Sequence, residues 1–137
     1  MTDLPPPIVT RELSIVDAAG VPRIVLSAGT GQPVVKMLRP DGKAALTLTL
    51  DPAGRPSVTL ENPQEAGPKA AVEVDDKGAH VKFDRPGGAS SYVFLNNSGG
   101  SGLVLIDPKG VRRLSATVAA DGSATIERLG ADGKPQP

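Results

Sequence analysis

The sequence has no cysteine, no tryptophan and a single histidine, His80. Without cysteine the chain can form no disulfide and no cysteine-ligated zinc or iron–sulfur site. One histidine cannot supply a two- or three-histidine metal centre within one chain. Aromatic residues are also scarce, at three: Phe83, Tyr92 and Phe94. We therefore expect no cofactor and a thin core of aliphatic side chains.

Excess charge of one sign is missing as well. Fifteen basic and fifteen acidic residues give a formal net charge of zero. Nucleic-acid binders usually carry a basic surplus or a basic stripe, and the one basic doublet is Arg112-Arg113. The sequence therefore predicts no nucleic-acid binding. A net charge of zero also removes one protection against self-association, which favours a homo-oligomer.

Long hydrophobic runs are the third absence. No stretch approaches the ~20 apolar residues that cross a bilayer, so we predict no membrane segment. The start of the chain, Met1 to Pro7, is polar and proline-rich and does not look like a secretory signal. We expect synthesis in the cytoplasm, which is compatible with a place in a virion or surface assembly.

Glycine and proline, in contrast, are frequent, at 16 and 14 residues. Eleven glycines recur along the chain at gaps of 10 to 13 residues, with apolar runs between them. They are Gly20, Gly31, Gly42, Gly54, Gly67, Gly78, Gly88, Gly99, Gly110, Gly122 and Gly133. Regular spacing of this kind predicts an ordered repeat rather than disorder.

Aspartates accompany these glycines in two patterns. Four turns read Asp-x-x-Gly, in which Asp caps backbone N–H groups and Gly takes a positive φ. They begin at Asp17, Asp51, Asp75 and Asp107 and end at Gly20, Gly54, Gly78 and Gly110. Three more contain a direct Asp-Gly pair, which favours a tight hairpin: Asp41-Gly42, Asp121-Gly122 and Asp132-Gly133.

The segments between the turns are short and rich in β-forming residues. We predict strands at 12–17, 23–28, 34–38, 44–50, 57–60, 70–74, 79–83, 91–95, 102–106, 111–118 and 123–129. The predicted fold is all-β, an antiparallel meander of about ten or eleven short strands with negligible helix. It could form an elongated β-repeat body, a sandwich or a barrel. A Pro-rich arm (1–10) precedes the domain (11–130), and a flexible tail (131–137) follows it.

Alternation within the strands predicts one buried face and one wet face. Val81 and Phe83, for example, alternate with His80 and Lys82. Other runs are apolar on both faces, such as Tyr92 to Leu95. Such strands need a second cover, supplied either by the sheet folding over itself or by another subunit.

One turn continues into a longer pattern. Asp17, Gly20, Arg23 and Leu26 form the unit Asp-x-x-Gly-x-x-Arg-x-x-Leu. This resembles a short β-repeat of uncharacterised bacterial proteins. The resemblance extends over about half the chain, residues 12–60 and 105–118, with one complete copy. It implies a repeat architecture and no activity.

No catalytic or metal constellation emerges from the residues. His80 is expected to be an outward strand histidine beside Lys82. Asp75 and Asp76 could bind calcium, but turn capping explains them better, since no calcium-binding loop accompanies them. No Gly-x-Ser-x-Gly element occurs. We predict that the protein is not an enzyme, although a hydrolase with scattered acids stays open because distant carboxylates can meet in a fold.

Two segments are candidate contact surfaces. The extended arm offers Leu4, Ile8 and Val9 to a neighbouring subunit, and the hairpin at 90–106 offers Tyr92 and Phe94. These features favour a non-enzymatic structural protein, a self-associating module of a fibre, shell or appendage, most plausibly a trimer. The alternative is a carbohydrate- or protein-binding module that uses the 90–106 hairpin.

Overall fold

A computed structural model of the chain describes residues 5–136. In that range the chain forms twelve β-strands and no helix. The strands are β1 (Glu12–Val16), β2 (Pro22–Ser27), β3 (Val34–Leu38), β4 (Ala44–Leu50), β5 (Pro56–Leu60), β6 (Lys69–Asp75), β7 (Gly78–Asp84), β8 (Ser90–Asn96), β9 (Ser101–Ile106), β10 (Arg112–Val118), β11 (Ala124–Leu129) and β12 (Pro135–Gln136). The predicted all-β meander is confirmed. The additional strand, β12, lies inside the segment predicted as a flexible tail.

All twelve strands belong to one open sheet. Their order in the sheet is their order in the chain, and every pairing is antiparallel. Within residues 5–136 each strand contacts only its sequence neighbours. Of the predicted arrangements, the elongated β-repeat body agrees with this single open sheet.

One type of turn closes most of the hairpins. At 107–110 the N–H of Gly110 donates to the carbonyl of Asp107 over 2.9 Å, and the N–H of Asp107 donates to the carbonyl of Val111. Gly110 has a φ of 79°, as expected for a type I turn followed by a left-handed glycine. The same pair of hydrogen bonds closes the turns at 17–20, 39–42, 51–54, 85–88, 96–99, 119–122 and 130–133.

The Asp-Gly pairs differ from their predicted role. Asp41-Gly42 and Asp121-Gly122 do not form the centre of two-residue hairpins but take the last two positions of the four-residue turns at 39–42 and 119–122. The two-residue loop occurs instead at Asp76-Lys77, where Asp75 pairs directly with Gly78. Gly78 is therefore both the last residue of the turn 75–78 and the first residue of β7.

Two of the eleven repeat glycines do not supply the positive φ themselves. In the connection before β6 the positive φ belongs to Ala66, at 55°, and not to Gly67. At 85–88 it belongs to Gly87, at 66°, and not to Gly88. The turn period is therefore regular, but at these two places the residue with the positive φ lies one position before the repeat glycine.

Asp17 and Asp107, which begin two of the repeat turns, use both carboxylate oxygens. Asp107 Oδ1 accepts the N–H groups of Lys109 and Val111, and its Oδ2 lies 3.3 Å from Arg113 Nη1. Asp17 repeats the arrangement, with Oδ2 3.6 Å from Arg23 Nη1. The Asp and Arg of the repeat pattern thus join each turn to the strand that follows it.

Candidate functional site

The sheet has one face that is aliphatic across its whole width. Directly paired residues of neighbouring strands point to the same face, so the register defines a row that crosses the sheet. Its members are Leu13, Leu26, Val35, Leu48, Val58, Val72, Val81, Val93, Leu103, Ala116 and Ile126. We call the face that carries this row the apolar face, and the opposite one the polar face.

The apolar face is open to solvent in the single chain. Sixteen of the nineteen exposed large hydrophobic residues have its parity, and Val93 at its centre is 54% exposed. Arg128 is the one charged residue with this parity among the paired strand positions of residues 5–136. A sheet face that is open to solvent normally carries polar residues, so a face of this width with a single charged residue among its paired positions is unusual for an isolated chain.

The total surface area agrees with this picture. The chain exposes 9833 Å², whereas a folded monomer of 14.0 kDa exposes about 6,700 Å² by the usual scaling with mass. The excess of roughly 3,100 Å² exceeds what one subunit of many obligate complexes buries. The chain on its own therefore leaves uncovered an area that an interface would normally cover.

This exposure corrects one expectation from the sequence. Alternation assigned Val81 and Phe83 to a face opposite His80 and Lys82, and the register places them so. The apolar side was expected to be the buried one, but Val81 and Phe83 are exposed, whereas His80 on the other face is half-buried. The single sheet provides no second layer that could cover Val81 and Phe83.

Two side chains on the polar face are almost completely buried. Val104 is 2% and Ser115 3% exposed, and they are direct partners on β9 and β10. Tyr92 on β8 pairs with Val104 from the other side. Phe94 lies over Gly102, because a Cβ at Gly102 would come within 2.9 Å of the Phe94 ring. Aromatic cover over a small residue thus creates the local core.

A groove of about 720 Å³ runs over this part of the polar face. Its walls come from β7, β8 and β10 and from the turn after β8. The rings of Tyr92 and Phe94 lie in it, with centroids 5.9 Å apart and planes tilted by 46°. Lys82, Asn96 and Arg112 also line the groove.

The acidic groups near the groove are already engaged. Glu73 Oε2 lies 2.8 Å from His80 Nε2. Asp75 Oδ1 accepts the backbone N–H groups of Lys77 and Gly78, and the bond from Lys77 is the main reason why the pKa of Asp75 lies below its ordinary value. Asp76, for which the sequence favoured a turn role over calcium binding, forms an ion pair with Arg55.

The acidic residues around the groove do not form a metal-binding cluster in the described part of the chain. Across residues 5–136, no three His, Asp or Glu side chains come together in a way that could hold a metal ion. The carboxylate of Asp75 faces the backbone N–H groups of its own turn and not the carboxylate of Asp76. The geometry of the pair is that of a turn cap and an ion pair.

The predicted contact residues lie in separate places. Leu4 falls outside the described residues. Ile8 and Val9 are 85% and 92% exposed, and Ile8 borders a shallow depression of the apolar face beside Leu26 and Leu48. Tyr92 and Phe94 are half-buried on the polar face. The arm and the aromatic hairpin therefore do not form one surface.

Comparison with models of known families, with curated proteins and with solved structures finds no match. In the described part of the chain there is no helix with the length and hydropathy needed to cross a membrane. The geometry of the two faces is thus the basis for any functional conclusion.

Proposed function

We propose that this protein is a structural module that self-associates through its apolar face. The observation that carries the proposal is the aliphatic row, which continues through eleven neighbouring strands without a charged residue. Exposed apolar surfaces of this size mark interaction sites. A second copy supplies a matching surface, because its own apolar face has the same width and the same uncharged aliphatic row.

The assembly that we propose is closed, with the apolar faces directed toward a shared axis. Neighbouring strands of a sheet are rotated by roughly 20° on average, so partners of a twelve-stranded sheet must wind with it. Intertwined copies fulfil this condition, and our specific expectation is a trimer. Such a body suits a fibre, shell or appendage, including one of a bacterium or phage, and it needs no enzymatic activity.

Size-exclusion chromatography with multi-angle light scattering tests the proposal. The wild-type chain is expected to have a mass near three times 14.0 kDa. Val72→Lys and Val93→Lys each place a charge in the aliphatic row, and burial of an unpaired charge costs several kcal/mol. Both variants are therefore expected to elute as folded monomers.

The matched control is Thr125→Lys, which adds the same charge at an exposed position of the polar face. It is expected to leave the mass unchanged. A wild-type chain that remains monomeric at tens of micromolar would refute self-association. Equal dissociation by Thr125→Lys would show that charge in general, and not the apolar face, controls the assembly.

A further inference from the structure

The groove on the polar face contains side chains that assembly through the opposite face leaves unused. Tyr92 and Phe94 form a tilted pair of rings beside Val104, which is almost completely buried. Three aromatic residues exist in the whole chain, and two of them lie in this groove. The groove thus combines an apolar platform with polar and charged side chains around it, and polar groups of this kind fix the orientation of a ligand.

Several hydrogen-bond donors in the groove lack partners within residues 5–136. The hydroxyl of Tyr92 and the guanidinium of Arg112 make no hydrogen bond there. Asn96 is fixed through its Oδ1, which accepts from the backbone of Ser98 and Gly100. The amino group of Asn96 therefore keeps a set orientation and remains available. A ligand for this groove must be rich in acceptors.

The charge of the lining is positive, although the chain as a whole is neutral. Lys77, Lys82 and Arg112 line the groove against one acid, Asp75. The Asp75 carboxylate already accepts two backbone N–H groups. Lys82 lies 3.9 Å from Asp84, which is a long ion pair. The groove thus favours an anion, and Arg112 can bind a carboxylate through two parallel hydrogen bonds.

We propose that this groove binds an acidic saccharide. The C–H face of a sugar ring would lie against Tyr92 and Phe94, its hydroxyls would accept from Asn96, and its carboxylate would face Lys82 and Arg112. The volume of about 720 Å³ lies within the range of small-molecule sites. The inference does not depend on the proposed assembly, because the groove and the apolar face lie on opposite sides of the sheet.

The chain carries its own reporter for this site. Tyr92 is its one tyrosine, and tryptophan is absent, so tyrosine fluorescence reports on the groove directly. We would titrate the intact protein with trigalacturonate and with its methyl ester, which keeps the ring and removes the charge. Trigalacturonate is expected to change the signal saturably and to bind at least about tenfold more tightly than the ester, since a hydrogen bond to a charged group is worth a factor of this size.

Variants assign the effect to the groove. Arg112→Gln is expected to weaken trigalacturonate binding about tenfold and to leave the ester unaffected. Phe94→Leu is expected to weaken both ligands. Lys36→Gln, on the polar face but outside the groove, is the control and should change neither. Circular dichroism checks that each variant is folded, and calorimetry repeats the titrations independently of fluorescence.

Three results would overturn the proposal. If neither fluorescence nor calorimetry detects saturable binding of trigalacturonate, the groove is not a saccharide site. Equal binding of the methyl ester would contradict the role of the cations. A response of the same strength to inorganic phosphate, unaffected by Phe94→Leu, would mean that the groove binds any anion and that the rings do not contribute.

Discussion

The carboxylate of Asp107 stabilises its turn in two ways at once. One oxygen accepts the N–H groups of Lys109 and Val111, at 2.9 and 3.0 Å, and the other faces Arg113. These bonds, with that from Val111 foremost, hold the pKa of Asp107 below its ordinary value of 3.8. Asp51 has a lowered pKa for the same kind of reason, with the N–H of Arg55 as the main donor.

A lowered carboxyl pKa makes stability depend on pH in a defined direction. The stabilisation is fully present above the ordinary pKa of 3.8 and is lost as the pH falls through the lower value of the folded state. Asp107→Asn is therefore expected to lower the melting temperature at about pH 7 and to reduce the further loss between about pH 4 and pH 2. Thermal unfolding followed by circular dichroism measures both effects.

The exposed Glu65→Gln is the matched control for this prediction, because its carboxylate makes no hydrogen bond within the described structure. It should leave the melting temperature and its pH dependence unchanged. An Asp107→Asn chain that loses as much stability on acidification as the wild type would contradict the assigned role of this carboxylate.

Two glycines separate backbone strain from steric contact. Gly110 has a φ of 79° and nothing near its missing side chain, so Gly110→Ala should cost about 1–2 kcal/mol through strain, and Gly110→Asn less. Gly78 also has a positive φ, at 146°, and a Cβ there would in addition collide with the backbone carbonyl of Leu95 on β8. Gly78→Ala should therefore cost about 1–3 kcal/mol more than Gly110→Ala. Urea unfolding measures the difference, and equal costs would contradict it.

At the scale of the strand, sequence periodicity predicted most of the architecture. The bounds of β3 and β4 coincide with those predicted, because well-marked turns flank both strands and the residues of β4 alternate clearly. Strand β12 was missed, since the two residues Pro135 and Gln136 are too short to show alternation. The turn from Asp75 to Gly78 is present as the pattern predicted, but its direct Asp75–Gly78 pairing differs from the other turns, and the Asp-x-x-Gly pattern does not distinguish the two forms.

A sheet in which strands contact only their neighbours should lose structure from its edges. Stability in such arrays is approximately a sum of local terms and neighbour interfaces. We therefore expect amide hydrogen exchange to be fastest in β1 and β12, each of which has one neighbour, and slowest in β7 to β10, which support Val104 and Ser115. Uniform exchange through all strands would contradict this gradient.

At the scale of the whole molecule, the two faces have different origins in the sequence. Alternation within single strands predicted the aliphatic positions of each strand. Their alignment into a continuous row depends on the register between strands, which turn geometry fixes. The groove depends on side chains that come together from separate strands, such as Lys82 on β7, Tyr92 on β8 and Arg112 on β10. No local pattern contains that information, so the sequence indicated the 90–106 hairpin but not its partners.

The central claim is that another copy of the chain covers the apolar face in solution. Because the chain has no cysteine, a single introduced thiol can report on each face. Val81 and Lys82 are adjacent on β7 and face opposite sides, and in the single chain they are similarly open: Val81 is 38% exposed and the Lys82 side chain 41%. They therefore form a matched pair for thiol labelling.

The decisive measurement is the labelling rate of Val81→Cys and Lys82→Cys in the native protein, each relative to its own rate in denaturant. If a second copy covers the apolar face, the thiol at position 81 is expected to be protected at least about tenfold more than the thiol at position 82. A factor of this size corresponds to an interface whose opening costs more than about 1.4 kcal/mol. Equal labelling of the two thiols in the folded protein would show that the apolar face is open and would contradict self-association through this face.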